Sequence, residues 1–153
     1  MDQLNLKIPP VLVFGIFALL MWMLNLLLPV GGFDFYGRIF FCKLFVILGI
    51  ALGIISLLQF YKFRTTIHPK KLSKVSNLVT TGLYNFSRNP MYLGLLLFLL
   101  AWGLWLGNAF NILLAAGFVG YMNRFQISLE EKALLERFGK DYKNYCILVR
   151  RWF

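Results

Sequence analysis

Chemistry-bearing side chains are scarce in this sequence and collect in two places, Arg64–Tyr92 and Arg124–Trp152. The second segment holds the adjacent carboxylates Glu130 and Glu131, followed by Tyr142 and Tyr145. The first contains the run Thr80-Thr81-Gly82-Leu83-Tyr84-Asn85-Phe86-Ser87-Arg88-Asn89-Pro90-Met91-Tyr92-Leu93-Gly94. There Gly82 permits a tight turn, Pro90 suits the first turn of a helix, and Arg88 can meet an anionic group. Such a pair of segments suits a boundary site, with a polar cofactor on its water side and an acyl or prenyl chain on its lipid side. A plainer reading of the same residues is a basic loop that orients the protein and a capped amphipathic helix. That reading explains the charges but not the cluster of Gly, Tyr, Asn and Pro.

The elements that must position these residues are apolar. Of 153 residues, 59% are in the apolar set and 14% are charged, against roughly 25% charged in a soluble domain. This composition excludes a soluble globular domain, a disordered chain and a disulfide-stapled secreted module. The net charge is +10. Because the charges lie in blocks between apolar runs, the expected anionic partner is the surface of a membrane and its lipids, not nucleic acid.

No Asp, Glu, Lys or Arg occurs from Ile8 to Phe33, which predicts a first span from Pro9 or Pro10 to Leu28. It exceeds a signal-peptide core and is expected to be retained. A second span is expected from Arg38 to Tyr61, with Lys43 able to snorkel to the interface. The uncharged stretch Asn89–Asn123 would make one helix about 52 Å long, too long for a single crossing. Gly107-Asn108 divides it, predicting a hairpin of short spans at Met91–Leu106 and Ala109–Phe125. The expectation is therefore an all-α polytopic membrane protein with about four transmembrane helices. It comprises one domain over 1–153, with two N-terminal spans in 1–61 and a motif-bearing core in 62–153. The basic segment Tyr61–Asn89 and the basic tail place both termini and the long loop in the cytoplasm.

The spans carry no Asp, Glu or His away from their ends, a poor basis for a proton-coupled carrier. Gly49/Gly53 and Gly103/Gly107 are small-xxx-small pairs, expected to serve packing within one bundle. Ser128-Leu129-Glu130-Glu131 reads as a capping box opening the tail helix. If that helix persists past Gly139, Glu131, Leu134, Leu135, Phe138, Tyr142 and Tyr145 share one face. Cys42 and Cys146 lie near opposite membrane faces and should not pair. No Cys/His spacing suits a metal, so none is expected.

Two motifs carry a resemblance. Gly82-Leu-Tyr-x-x-Ser-Arg-Asn-Pro-Met-Tyr-Leu-Gly94 resembles the core motif of the isoprenylcysteine carboxyl methyltransferase family and its phospholipid methyltransferase relatives. So does the tail Glu130-Glu131-x-x-Leu-Leu-x-x-Phe-Gly-x-x-Tyr-x-x-Tyr-x-x-x-Val-Arg-Arg-Trp152. Thr65-Thr-Ile-His-Pro69 and Leu78-Val-Thr80 look like the family's bacterial branch, and the likeness spans Thr65 to Trp152 in matching order. One position departs: the prenylcysteine and phospholipid enzymes carry His where this chain has Asn89.

The resemblance implies an integral membrane methyltransferase using S-adenosylmethionine without a Rossmann domain, and no G-x-G-x-x-G occurs here. Carried over, the cofactor-binding residues are Gly82, Tyr84, Arg88, Asn89, Pro90, Tyr92, Glu130, Glu131, Tyr142 and Tyr145. Arg88, Arg124 and Glu130 are the catalytic candidates. Carboxylates suit the cofactor's cationic end, and the face of Tyr92 suits its sulfonium. The expected acceptor is lipid-like or a small hydrophobic molecule, methylated on a carboxylate, amine or thiol at the cytoplasmic face of a bacterial inner membrane. His68 is assigned a structural role. The alternatives are a non-catalytic membrane scaffold and, more remotely, a nicotinamide-dependent membrane reductase of the same architecture.

Overall fold

A computed structural model describes residues 8–28, 30–62 and 78–153. His68 and most of the basic loop lie outside the described residues. Those described are helical apart from connections and one isolated antiparallel bridge, Gly32 to Asn108. The elements are α1 (Pro10–Leu27), α2 (Arg38–Lys62), a short 3₁₀ helix (Gly82–Asn85), α3 (Pro90–Leu106), α4 (Asn111–Met122), α5 (Ser128–Phe138) and α6 (Lys140–Leu148).

Prolines begin two of these helices where the sequence suggests. Pro10 opens α1 and Pro90 opens α3, positions where a missing N–H costs nothing. Helices α1 and α2 are long and apolar enough to cross a membrane, with mean hydropathies of 2.2 and 2.5. Only 11% of each apolar window is buried inside the protein. A core helix of a soluble domain would be mostly covered, so these surfaces are suited to lipid.

The inner core joins α1, α3 and α4 through Val13 and Met21, Leu96 and Leu99, and Ala115, Phe118 and Met122. On the other side α2 crosses α3 at backbone contact. A Cβ added to Gly49 would lie 3.1 Å from the Gly94 carbonyl oxygen, and one added to Gly94 would lie 3.1 Å from that of Gly49. The expected intramolecular packing role holds for Gly49, although its partner is Gly94 of α3.

The α3–α4 hairpin turns at the expected Gly107-Asn108. Gly107 stops α3 with φ +67°, and the Arg38 guanidinium occupies the place of its absent Cβ. Asn108 then locks this end: its Nδ2 donates to Leu28 O at 3.0 Å, while its Oδ1 accepts the Phe110 N–H at 3.0 Å.

Two tail expectations are corrected. Ser128 is not a helix cap, because α4 runs through a π-turn (Asn123–Ile127) directly into α5. Its hydroxyl instead donates to Arg124 O at 2.7 Å, one turn back. Continuity satisfies the amides a fresh start would orphan, and it keeps Met122 and Ile127 in the core. The tail also does not remain one helix. Gly139, at φ +53°, breaks it into α5 and α6. Phe138, Leu134, Tyr142 and Tyr145 nevertheless meet in one cluster with Val79 and Tyr84.

Candidate functional site

The site lies where α2 ends, α3 begins and the α4–α5 helix leaves the apolar core. The π-turn holds one extra residue per turn and rotates α5 relative to α4. Gln126 within it and Glu130 beyond it both reach the first turn of α3. Glu130 Oε1 accepts from the Tyr92 hydroxyl at 2.6 Å and from Gln126 Nε2 at 2.8 Å. Glu130 is half-buried as a residue, with its carboxyl end the deeper part. That burial pushes the carboxyl above its ordinary range, against the lowering effect of the Tyr92 and Gln126 donors.

Glu131 faces a different set of partners. Arg151 grips it with two donors, Nε to Oε1 at 3.0 Å and a terminal nitrogen to Oε2 at 2.6 Å. Arg88 approaches Oε1 at 3.2 Å. Both Glu131 and Arg88 are largely covered, whereas Arg151 is partly open to solvent. Arg88 Nε is buried without a hydrogen-bond partner among the described residues.

The loop motif is held by the tail backbone. The Arg88 N–H donates to Arg150 O at 2.9 Å, and both Ser87 Oγ and Asn89 Nδ2 donate to Arg151 O at 3.1 Å. Trp152 Nε1 donates to Asn123 Oδ1 at 3.0 Å, fixing the same strap to the π-turn. Asn89 thus serves as a strap anchor, a task a neutral imidazole N–H can also perform. Pro90 is fully buried beneath it.

Gly82 adopts φ +65°, and the Gln59 amide sits where a side chain would project. The turn it allows directs Tyr84 into a buried position against Phe60, ring centroids 5.5 Å apart. Tyr145 donates to Tyr84 O at 2.6 Å, and Tyr142 packs beside it. Burial raises the hydroxyls of Tyr84, Tyr142 and Tyr145 well above their ordinary 10, so they stay protonated. Between α5 and α6 opens a cleft of about 320 Å³, lined by Ser128, Glu131, Lys132, Leu135, Tyr142, Lys143 and Cys146.

The structure therefore gathers Arg88, Asn89, Pro90, Tyr92, Glu130 and Glu131, with Gly82, Tyr84, Tyr142 and Tyr145 in the adjoining aromatic cluster. Arg124 stands apart: it is exposed, 5.7 Å from the centroid of Phe125, and takes no part in the carboxylate network. Gln126 and Asn123 carry no signal in the sequence, whereas Ser87 and Arg151 stand within the two motifs without being among the candidate site residues. The Val-Arg-Arg-Trp tail was the one signal that pointed to the last of these.

The phospholipid methyltransferase family model matches residues 37–141, which take in α2, the loop motif, the hairpin and the acidic pair. The chain belongs to the phospholipid methyltransferase family. Membership in this family gives the activity class, methyl transfer, and agrees with the lipid-suited surfaces of α1 and α2 in making this a membrane protein. An uncharacterized protein of Haemophilus influenzae is 52% identical over 62 residues, 40% of this chain and 98% of that one. No solved structure matches.

Proposed function

We propose that this family member transfers a methyl group from S-adenosylmethionine to a lipid-like or small hydrophobic acceptor at the cytoplasmic face of a bacterial inner membrane. Four crossings, with both termini cytoplasmic, complete the reading. Helix α3 has 17 residues, about 26 Å at 1.5 Å per residue, close to a hydrocarbon core of about 30 Å. The α4 helix and its π-turn cover a similar distance.

The observation that carries the reading is the mixed-charge cluster at the end of this hairpin. An amino-acid-like cofactor presents both an ammonium and a carboxylate, and the cluster offers partners for each. The buried, unpartnered Arg88 Nε can donate to a carboxylate. All donors to Glu130 among the described residues converge on Oε1, which leaves Oε2 to accept from an ammonium. The cleft beside Glu131 and Tyr142 is large enough for part of such a ligand and opens to water. These residues fit the group. When bound, S-adenosylmethionine supplies an electrophilic methyl on a sulfonium.

The protein's own contribution is alignment in a dry setting. Tyr92, at the first turn of α3, sits where water meets lipid and fixes the Glu130 carboxylate. A carboxylate or thiolate acceptor needs no base. For an amine acceptor, Glu130 is the group that can take the proton, since burial makes it hold protons more firmly than an ordinary carboxyl.

The closed Arg88–Glu131–Arg151 cluster also suits a non-catalytic scaffold, and one experiment separates the two. Membranes containing the protein receive methyl-labelled S-adenosylmethionine and are extracted with organic solvent. Label in the organic fraction, lost in the Glu130→Gln/Glu131→Gln variant, supports the proposal. Label confined to a water-soluble molecule or a delipidated protein removes the lipid-like acceptor. No label in any fraction favours the scaffold.

A further inference from the structure

We infer that the Phe86 loop and the α6 tail form an interfacial anchor, inserting Phe86, Ile147, Leu148 and Phe153 into the headgroup–acyl boundary of an anionic phospholipid leaflet. The inference rests on reading α2 and α3 as membrane spans. Its depth argument comes from the loop's own contacts. Gln59 Nε2 donates to Thr81 O at 3.3 Å and Phe60 packs on Tyr84, so the loop sits at the level of the last turn of α2. Pro90 then starts α3 within four residues of Phe86. The loop is therefore held where both helices leave the hydrocarbon.

The tail is held at the same level by the Ser87, Arg88 and Asn89 bonds to the Arg150 and Arg151 carbonyls. On the two segments that meet at this junction four large apolar side chains are left uncovered: Phe86 is 77% exposed, Ile147 76%, Leu148 82% and Phe153 80%. None belongs to a proposed span. In water this grouping would be an aggregation liability, whereas at the boundary it is an anchor.

Charge selects the partner. Lys140, Lys143 and Arg150 are exposed on the same stretch, against the single exposed acid Asp141. Arg150 follows the apolar pair closely and gives only its backbone to the strap, so its guanidinium is available to lipid phosphate. An anionic leaflet satisfies both features at once.

The test places a photoreactive phenylalanine analogue in the full-length protein, reconstituted at one copy per nanodisc. Phe86→p-benzoylphenylalanine and Phe153→p-benzoylphenylalanine replace exposed rings and leave the packed core alone. Leu20, on the exposed surface of α1, serves as the span control, and Glu136, on the exposed surface of α5, as the water control. Mass spectrometry should find acyl-chain adducts from positions 20, 86 and 153 but not 136. In bilayers containing phosphatidylglycerol, Arg150→Gln should lower the yield at 153 by about fivefold, the factor one basic group near an anionic surface is worth. Adducts at position 20 alone would overturn the anchor while leaving the spans intact. Failure at position 20 as well would remove the membrane reading and the anchor together. Adducts to a second copy of the chain in crowded liposomes, with none to lipid, would assign the patch to self-association and overturn the proposal.

Discussion

The Tyr92 hydroxyl and the Glu130 carboxylate meet at 2.6 Å across the junction of α3 and α5. Residues 38 positions apart thereby join the loop motif to the acidic pair. This contact brings the two motifs together, and its removal is the most direct probe of the proposed chemistry.

Tyr92→Phe deletes one donor and keeps the ring. A hydrogen bond to a charged group is worth about 1.5–3 kcal/mol, so transfer activity should fall roughly ten- to a hundredfold with the helical content intact. Activity equal to the parent, measured in the labelled-methyl assay, would show that this hydroxyl serves only the fold.

Stability should depend on pH through Glu130. Its carboxyl is raised above an ordinary 4.5 by burial. Its stabilising contribution is therefore fully present below 4.5 and is lost as pH rises through the raised value. In detergent, Glu130→Gln lacks this loss, so its Tm should gain on the parent's over that window. Parallel Tm–pH curves for the two proteins would contradict the assignment.

Arg151→Lys keeps the charge but loses the two-point grip on Glu131. A fully buried pair is worth several kcal/mol when broken, yet the Arg151 side chain is 39% exposed. The expected cost is about 1–2 kcal/mol, read as a lower Tm. Faster proteolysis after residue 148 should accompany it, because the strap keeps only the Trp152–Asn123 bond as a full side-chain anchor.

Gly82→Ala meets two obstacles, a left-handed backbone and the Gln59 amide. The predicted destabilisation is about 1–3 kcal/mol. Adding Gln59→Ala should recover the steric share and leave the backbone strain, giving a coupling energy of at least about 0.5 kcal/mol in a double-mutant cycle. Strict additivity would mean that Gln59 swings aside at no cost.

Features written into local patterns were legible in the sequence. Charge gaps and prolines located α1, α2 and the start of α3 to within a residue or two, and Gly107-Asn108 marked the hairpin. The Ser128-x-x-Glu131 pattern misled because a serine can be satisfied by the carbonyl one turn back as well as by a free amide. Nothing local distinguishes those cases. The choice is made by Met122 and Ile127, whose burial needs the helix to continue. The strap was hidden for a different reason. Ser87 and Asn89 bind a backbone carbonyl, which every residue possesses, so no residue type at position 151 announces the contact. Glu131 stands out in the sequence as half of an acidic pair, but its guanidinium partners depend on tertiary placement that spacing does not encode.

The strap also orders events in time. Its bonds from Ser87 and Asn89 to residue 151 close a loop of more than sixty residues, and such contacts form only after the intervening chain exists and has found its place. During synthesis the helices that need lipid can enter the bilayer while Arg88 still lacks both its carbonyl and its carboxylate partner. Joining of the two motifs then becomes a late step of biogenesis, and a nascent chain stalled before residue 130 should hold its loop motif with no acidic pair for it to join.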